Sequence, residues 1–123
     1  MKKYLALVVA GLIGLSTLNA SAQDAALKTV SVVNKDKVGL AGKEVRVQGK
    51  VVKVNNGIMG RNFVHVQDGS GDQTSNNLIV TSTDIVKVGD EVSVVGKVAL
   101  NTDFGSGYIY PLLIEGAKIS AKK

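Results

Sequence analysis

The sequence has no cysteine and no tryptophan, and its 123 residues include only one proline and one histidine. Without cysteine the chain has no disulfide, no thiolate zinc site, no thiol nucleophile and no acceptor for the lipid of a bacterial lipoprotein. A single imidazole cannot complete a metal site without further ligands. No serine lies in a G-x-S-x-G turn, and no glycine-rich segment opens a helix that would cradle a phosphate. We therefore expect a protein that is not an enzyme.

The first 22 residues have the pattern of a cleaved signal peptide. Lys2 and Lys3 make the start positive, residues 4–15 are almost wholly apolar, and small residues at 20–22 match a cleavage site. The alternative is a membrane anchor, but the apolar run is shorter than the roughly 20 residues that span a bilayer. We therefore expect export to a bacterial periplasm. The mature chain would be soluble and, after the loss of two lysines, only mildly basic.

One ten-residue pattern occurs twice, in residues 42–51 and 89–98. Both copies read G-x-E-V-x-V-x-G-K-V. The alternation of valine with other residues predicts two half-buried strands. The internal glycine predicts a bulge or bend, and a change of apolar parity places a bulge near residues 49–51 in the first copy. Two long, bent, matching strands are typical of a small closed barrel in which they lie side by side.

The remaining chain divides into a lead-in and one domain. Residues 23–37 are the lead-in, where residues 29–33 could form a short strand, and residues 38–123 are the domain. The predicted strands are 44–55, 63–67, 78–81, 91–100 and 108–115, with little or no helix between them. A five-stranded, all-β barrel of this size suggests an OB-fold. The alternative is a small β-sandwich or an SH3-like barrel.

Several runs in the domain resemble a group of small exported bacterial proteins described as OB-fold, nucleic-acid-binding-like proteins. The runs are residues 49–55, 58–71, 103–108 and 115–119, and the most specific of them reads N-F-V-H-V-Q-D-G-S-G from position 62. Family members often have tryptophan where this chain has Phe63. The resemblance implies an exported OB-fold and a ligand of nucleic-acid type.

The ligand face of an OB-fold usually comprises its second and third strands with the adjoining loops. If Val64 and Val66 point inward, the outer face carries the candidate ligand-binding residues, with a second stacking patch on the fifth strand: Lys53, Asn55, Arg61, Phe63, His65, Gln67, Tyr108 and Tyr110. An aromatic ring framed by cations is a stacking platform for single-stranded nucleic acid. The alternative is that Phe63 packs in the barrel core and that the tyrosines form a rim with packed rings.

The sequence therefore favours an exported, non-enzymatic binding module without a cofactor. Its expected partner is single-stranded nucleic acid or another anionic ligand on the outer face of the second and third strands. One alternative is an accessory factor that binds exported redox proteins through an edge strand or a loop. The other is a haem or metal carrier that uses His65 as a ligand.

Overall fold

The computed structural model describes residues 25–105, 107 and 109–122. The predicted signal peptide, residues 1–22, and the candidate Tyr108 lie outside the described residues. The elements are β1 Ala26–Leu27, α1 Val30–Lys35, α2 Lys37–Leu40, β2 Glu44–Ile58, β3 Arg61–Gln67, β4 Leu78–Ser82, β5 Glu91–Asp103 and β6 Ile109–Ala121.

The five long strands close into a barrel. Their order around the sheet is β2-β3-β4-β6-β5, and β5 pairs again with β2. The pairs are antiparallel except for β4 with β6, and the short β1 adds to β2 in parallel. The predicted all-β, OB-like fold is confirmed, with two short helices before the barrel. The five predicted strands correspond to β2 through β6.

The two repeated segments are neighbours and form the seam of the barrel, as the repeat predicts. Glu44 of β2 lies opposite Lys97 of β5, and Lys50 lies opposite Glu91. At the centre of the seam Val47 lies opposite Val94, which is its own equivalent in the repeat. The seam therefore has a local two-fold arrangement in which each copy of the pattern faces the other copy.

A glycine in each seam strand allows a third strand to approach closely. A side chain on Gly49 would lie 2.7 Å from a backbone oxygen of β3, and one on Gly96 would lie 2.7 Å from the Ile114 side chain. The register of β2 against β3 shifts between residues 51 and 53, and that of β5 against β6 shifts between residues 95 and 97. The bulge predicted near residues 49–51 thus lies just past Gly49, at the shift between residues 51 and 53, where the inward positions of β2 pass from odd (Val47, Val51) to even (Val54).

The barrel interior is filled by aliphatic side chains. Its largest fully buried members come from all five long strands and from α1: Val30, Val33, Val45, Val47, Val51, Val64, Val66, Leu78, Val80, Val94 and Ile114. Val30 and Val33, one turn apart on α1, close one end of the barrel. Among the described residues, no aromatic ring belongs to this cluster.

Residues 29–33 begin α1, so the short strand predicted there is wrong. Thr29, Asp68 and Ser70 each accept a hydrogen bond, at 3.0–3.1 Å, from one of the first three amides of α1. These amides have no partner within the helix itself. Valine disfavours a helix, but the three caps and the burial of Val30 and Val33 outweigh that preference. Two of the caps come from the turn after β3, which lies far away in the sequence.

The polar loop at residues 72–77 is ordered by hydrogen bonds rather than by apolar contacts. Asp72 Oδ1 accepts from the Thr74 amide at 2.9 Å, from its hydroxyl at 2.7 Å and from the Ser75 hydroxyl at 3.2 Å. Asn34 of α1 donates to the carbonyls of Ser75 and Asn77. The helix and the segment between β3 and β4 therefore form one connected unit at this end of the barrel.

Asp68→Ala should destabilise the protein by about 1–2 kcal/mol, because it removes the cap of the first α1 amide. Desolvation raises the pKa of Asp68, but hydrogen bonds from the Ser70 hydroxyl and from the Val30 and Ser70 amides outweigh it, so the pKa lies below its ordinary value. The Asp68 contribution is therefore present above the unfolded pKa and is lost as the pH falls through the folded pKa. Urea unfolding at several pH values measures both effects.

Asp36→Ala is the matched control, because Asp36 stands at the start of α2 without a side-chain cap hydrogen bond. Its effect should stay within about 0.5 kcal/mol. Equal losses in the two variants would contradict the capping role of Asp68.

Candidate functional site

The outer face of the β2–β3 ribbon brings most of the predicted site residues together. Val64 and Val66 are fully buried inside the barrel, so the alternate residues of β3 lie on the outside. The in-register pairs on that face are Asn55 with Phe63, Lys53 with His65 and Lys50 with Gln67. The predicted grouping of the ribbon residues is therefore present in the structure.

Phe63 lies on this outer face but is covered by two other rings. Its centroid is 5.4 Å from that of Phe104 and 5.4 Å from that of Tyr110, and only 3% of the residue is exposed. This placement corrects the expectation that the Phe63 ring is open to a ligand. The placement also differs from the alternative prediction that Phe63 packs in the barrel core, because Phe63 is not part of the aliphatic cluster inside the barrel.

Phe104 and Tyr110 provide the half-exposed rings of the site. They belong to the hairpin of β5 and β6, and their centroids are 5.6 Å apart with the rings at 72°. Together with Phe63 they form a three-ring group, which we call the aromatic cluster. These are all the aromatic side chains within the part of the chain that the structure describes.

Arg61 of the β2–β3 hairpin contacts the aromatic cluster. It lies at the start of β3 opposite Ile58, and its guanidinium carbon is 4.7 Å from the centroid of the Phe104 ring. A guanidinium over a ring face is attracted by the ring quadrupole. The contact places a positive charge beside two half-exposed aromatic surfaces, which suits a ligand that has both negative charge and flat rings.

The sequence argument missed Phe104. It stands at the start of the loop between β5 and β6, within D-F-G-S-G, where turn glycines dominate the local pattern. Its contact with Phe63 joins two hairpins that are distant in the chain. The sequence offered one indication, the scarcity of aromatic residues, because one of only two phenylalanines lies in this hairpin.

A hydrogen-bonded trio continues the face beyond the aromatic cluster. Asn77 Nδ2 lies 3.3 Å from His65 Nδ1, and Gln67 Nε2 donates to Asn77 Oδ1 at 3.5 Å. With the amide nitrogen as donor, Nδ1 accepts and the imidazole proton is on Nε2. Asn77, which the sequence argument also missed, is held through its carbonyl by Asn34. The trio therefore presents fixed polar groups next to the rings.

His65 is an uncharged part of this face at neutral pH. Burial and the nearby Lys53 ammonium both lower the pKa of His65 below its ordinary value of 6.5. Positive charge on the face therefore comes from Lys50, Lys53 and Arg61.

Among the residues that the structure describes, no group of three or more His, Cys, Asp or Glu side chains could hold a metal ion. Within the same residues, no helix is long and apolar enough to cross a bilayer.

Structures of aminoacyl-tRNA synthetases contain a region of similar fold. Two structures of asparaginyl-tRNA synthetase from Entamoeba histolytica, one with bound asparaginyl-adenylate, align at TM-scores of 0.50 and 0.51 with 15% identity over 79% of this chain. A protein assigned as an aspartyl-tRNA synthetase from Leishmania major Friedlin aligns at 0.54 with 12% identity over 96% of this chain. The alignments cover 24% and 27% of those chains, so this chain spans about a quarter of their length.

At these identities the likeness shows the fold alone. No protein-family model and no curated protein matches the chain.

Titration of His65 tests the electrostatics of the face. The pKa in wild type should lie below 6.5, and Lys53→Gln should raise it because the neighbouring positive charge is gone. Since the unfolded chain takes up this proton more readily, stability should decline as the pH falls from about 6.5 toward the folded pKa. Proton NMR of the single imidazole measures the pKa directly.

Lys118→Gln removes a lysine from β6, across the barrel, and should leave the His65 pKa unchanged. A wild-type pKa at or above 6.5 would contradict the arrangement described for Lys53 and His65.

Proposed function

We propose that this protein is a non-enzymatic OB-fold module that binds single-stranded nucleic acid on the outer face of the β2–β3 ribbon. The observation that carries the proposal is the position of the aromatic side chains. All those in the described residues gather on this face, outside an aliphatic core that is filled without them. A cluster of rings beside cations is the arrangement by which OB-folds hold single strands.

In this proposal two half-exposed rings bind the bases and two cations bind the phosphates. Phe104 and Tyr110 offer their surfaces to bases, while the buried Phe63 supports both rings from beneath. Each base–aromatic stack contributes about 1–3 kcal/mol. Lys53 and Arg61 lie along the same face and attract the phosphates. The structures of similar fold named above are aminoacyl-tRNA synthetases, which agrees with a nucleic-acid ligand without identifying it.

A double substitution of Phe104 and Tyr110 by leucine tests the stacking role. Leucine keeps Phe63 covered but removes both aromatic faces, so affinity for a labelled oligothymidylate should fall by at least roughly 30-fold, since two stacks of about 1–3 kcal/mol each are lost. Fluorescence anisotropy measures the affinity, and a series of salt concentrations gives the electrostatic part. The wild-type slope should be steep, since bound lysine and arginine release counterions from the phosphates.

The matched control exchanges the two ring types, with Phe104→Tyr and Tyr110→Phe combined. It keeps both aromatic faces and should bind within about twofold of wild type, which is far less than one lost stack. If the leucine variant binds as tightly as this control, the rings do not stack on bases and the site lies elsewhere. If wild type binds no oligonucleotide at low salt, the proposed function fails.

We also propose that the protein works after export. The support is the pattern of residues 1–22, which combines two lysines, an apolar run and small residues at the end. In a bacterium with two membranes, the full chain should yield a periplasmic product that begins at Gln23, as read by mass spectrometry. Leu12→Lys interrupts the apolar run and should leave the uncleaved chain in the cytoplasm. A periplasmic product from that variant, or an uncleaved wild type, would contradict export by a signal peptide.

A further inference from the structure

A cleft of about 600 Å³ lies at the other end of the same outer face. Lys50 and Gln67, the last in-register pair of the β2–β3 ribbon, are part of its lining. Gln67 is four residues along β3 from Phe63, so roughly 13 Å of strand separates the cleft from the aromatic cluster. The volume falls in the range of about 300–1,000 Å³ that ligand sites occupy.

Three lysines from separate parts of the chain meet at this cleft, which we call the lysine cleft: Lys28, Lys50 and Lys122. The backbone of each is held in place. The Lys28 amide donates to the Arg46 carbonyl at 2.8 Å, and the Lys122 amide donates to the Glu91 carbonyl at 3.0 Å. Lys50 pairs with β3 on one side and with β5 on the other. The three lysines therefore stand on fixed backbone around one opening.

Two carboxylates, Asp68 and Glu91, also line the cleft, so the three lysines exceed them by one charge. Asp68 accepts from the Val30 amide with Oδ2 and from the Ser70 amide and hydroxyl with Oδ1, so both of its oxygens face internal donors. Glu91 lies opposite Lys50 across the seam. Asp68 keeps its negative charge, but the partial positive charges of its amide and hydroxyl donors partly offset it, and the lining as a whole stays positive by one charge.

Exposed apolar surface lies beside the ammonium groups. Leu27 is 62% exposed and Val52 is 38% exposed, and both line the cleft. A nucleic-acid strand offers phosphates to the lysines and sugars or bases to these side chains.

We propose that the lysine cleft is a second subsite, which binds the phosphate backbone of the same single strand whose bases stack at the aromatic cluster. The inference rests on the proposed function and extends it from one patch to a continuous path along the ribbon. A short oligonucleotide at the cluster does not reach the cleft, whereas a longer one occupies both.

The test compares a thymidine dinucleotide, which spans about 7 Å at ~3.4 Å per nucleotide and so falls short of the cleft, with an oligothymidylate of about 12 nucleotides, a length within the range of OB-fold site sizes. Lys50→Gln combined with Lys122→Gln should lower affinity for the longer oligonucleotide on the order of tenfold and leave the shorter one unchanged. The salt slope for the longer one should shrink by about 1.4, because each phosphate contact on a single strand contributes about 0.7. Both lysines are exposed, so thermal unfolding should confirm an intact fold.

Lys43→Gln combined with Lys118→Gln is the matched control. It removes the same charge from exposed positions that do not line the cleft. Its effect should be small and should not depend on oligonucleotide length. If the two double variants weaken binding equally, or if the cleft variant weakens both lengths alike, general electrostatics accounts for the result and the subsite is overturned.

The two proposals fail in different ways. If wild type binds both oligonucleotides and the cleft variant binds them equally well, the subsite is wrong and the proposed function stands. If wild type binds neither, the proposed function is wrong and the nucleic-acid path fails with it. Titration with inorganic pyrophosphate, followed by NMR, then tests directly whether the cleft binds phosphate. Amide shifts at residues 27–29 and 67–69 would support a phosphate site that serves a free ligand, and their absence would remove the site.

Discussion

The pairing of β2 with β5 is the constraint on which both the barrel and its outer face depend. The two strands meet over residues 44–50 and 91–97, and valine alternates inward along both. Beyond Lys50, β2 leaves β5 and continues as a ribbon with β3 alone. The seam therefore decides where the ribbon begins, which side of it faces the core and which side is left for a ligand.

The repeated sequence makes this seam specific. Two antiparallel copies of G-x-E-V-x-V-x-G-K-V place valine opposite valine at the centre and glutamate opposite lysine at each end. A slip by one residue would turn every inward valine outward and would also bring the charges out of register. The glycines add a second condition, because only there can β3 and β6 approach without a collision. Closure then leaves little free edge for pairing with other chains.

The strands could be predicted from the sequence because their information is local. Alternating valines, turn glycines and the repeat identify β2 to β6 and the seam. Helix α1 could not be found in this way, because its valines favour a strand and two of its caps, Asp68 and Ser70, come from a distant turn. The ribbon residues Lys53, Phe63 and His65 were grouped correctly by alternation. The cover that Phe104 and Tyr110 place over Phe63 depends on contact between hairpins, which no local pattern records.

The helix cap links the stability of the fold to the charge of its surface. Asp68 follows β3 at the rim of the lysine cleft, where its negative charge attracts the ammonium groups and repels a phosphate. The α1 amides and Ser70 donate hydrogen bonds to both of its oxygens and partly offset that charge. Their hydrogen bonds lower the pKa of Asp68, so the carboxylate stays ionised and bound to the helix. Docking α1 onto the barrel thus closes the core and, through the same contacts, places N–H donors beside a carboxylate that opposes the lysines at the rim.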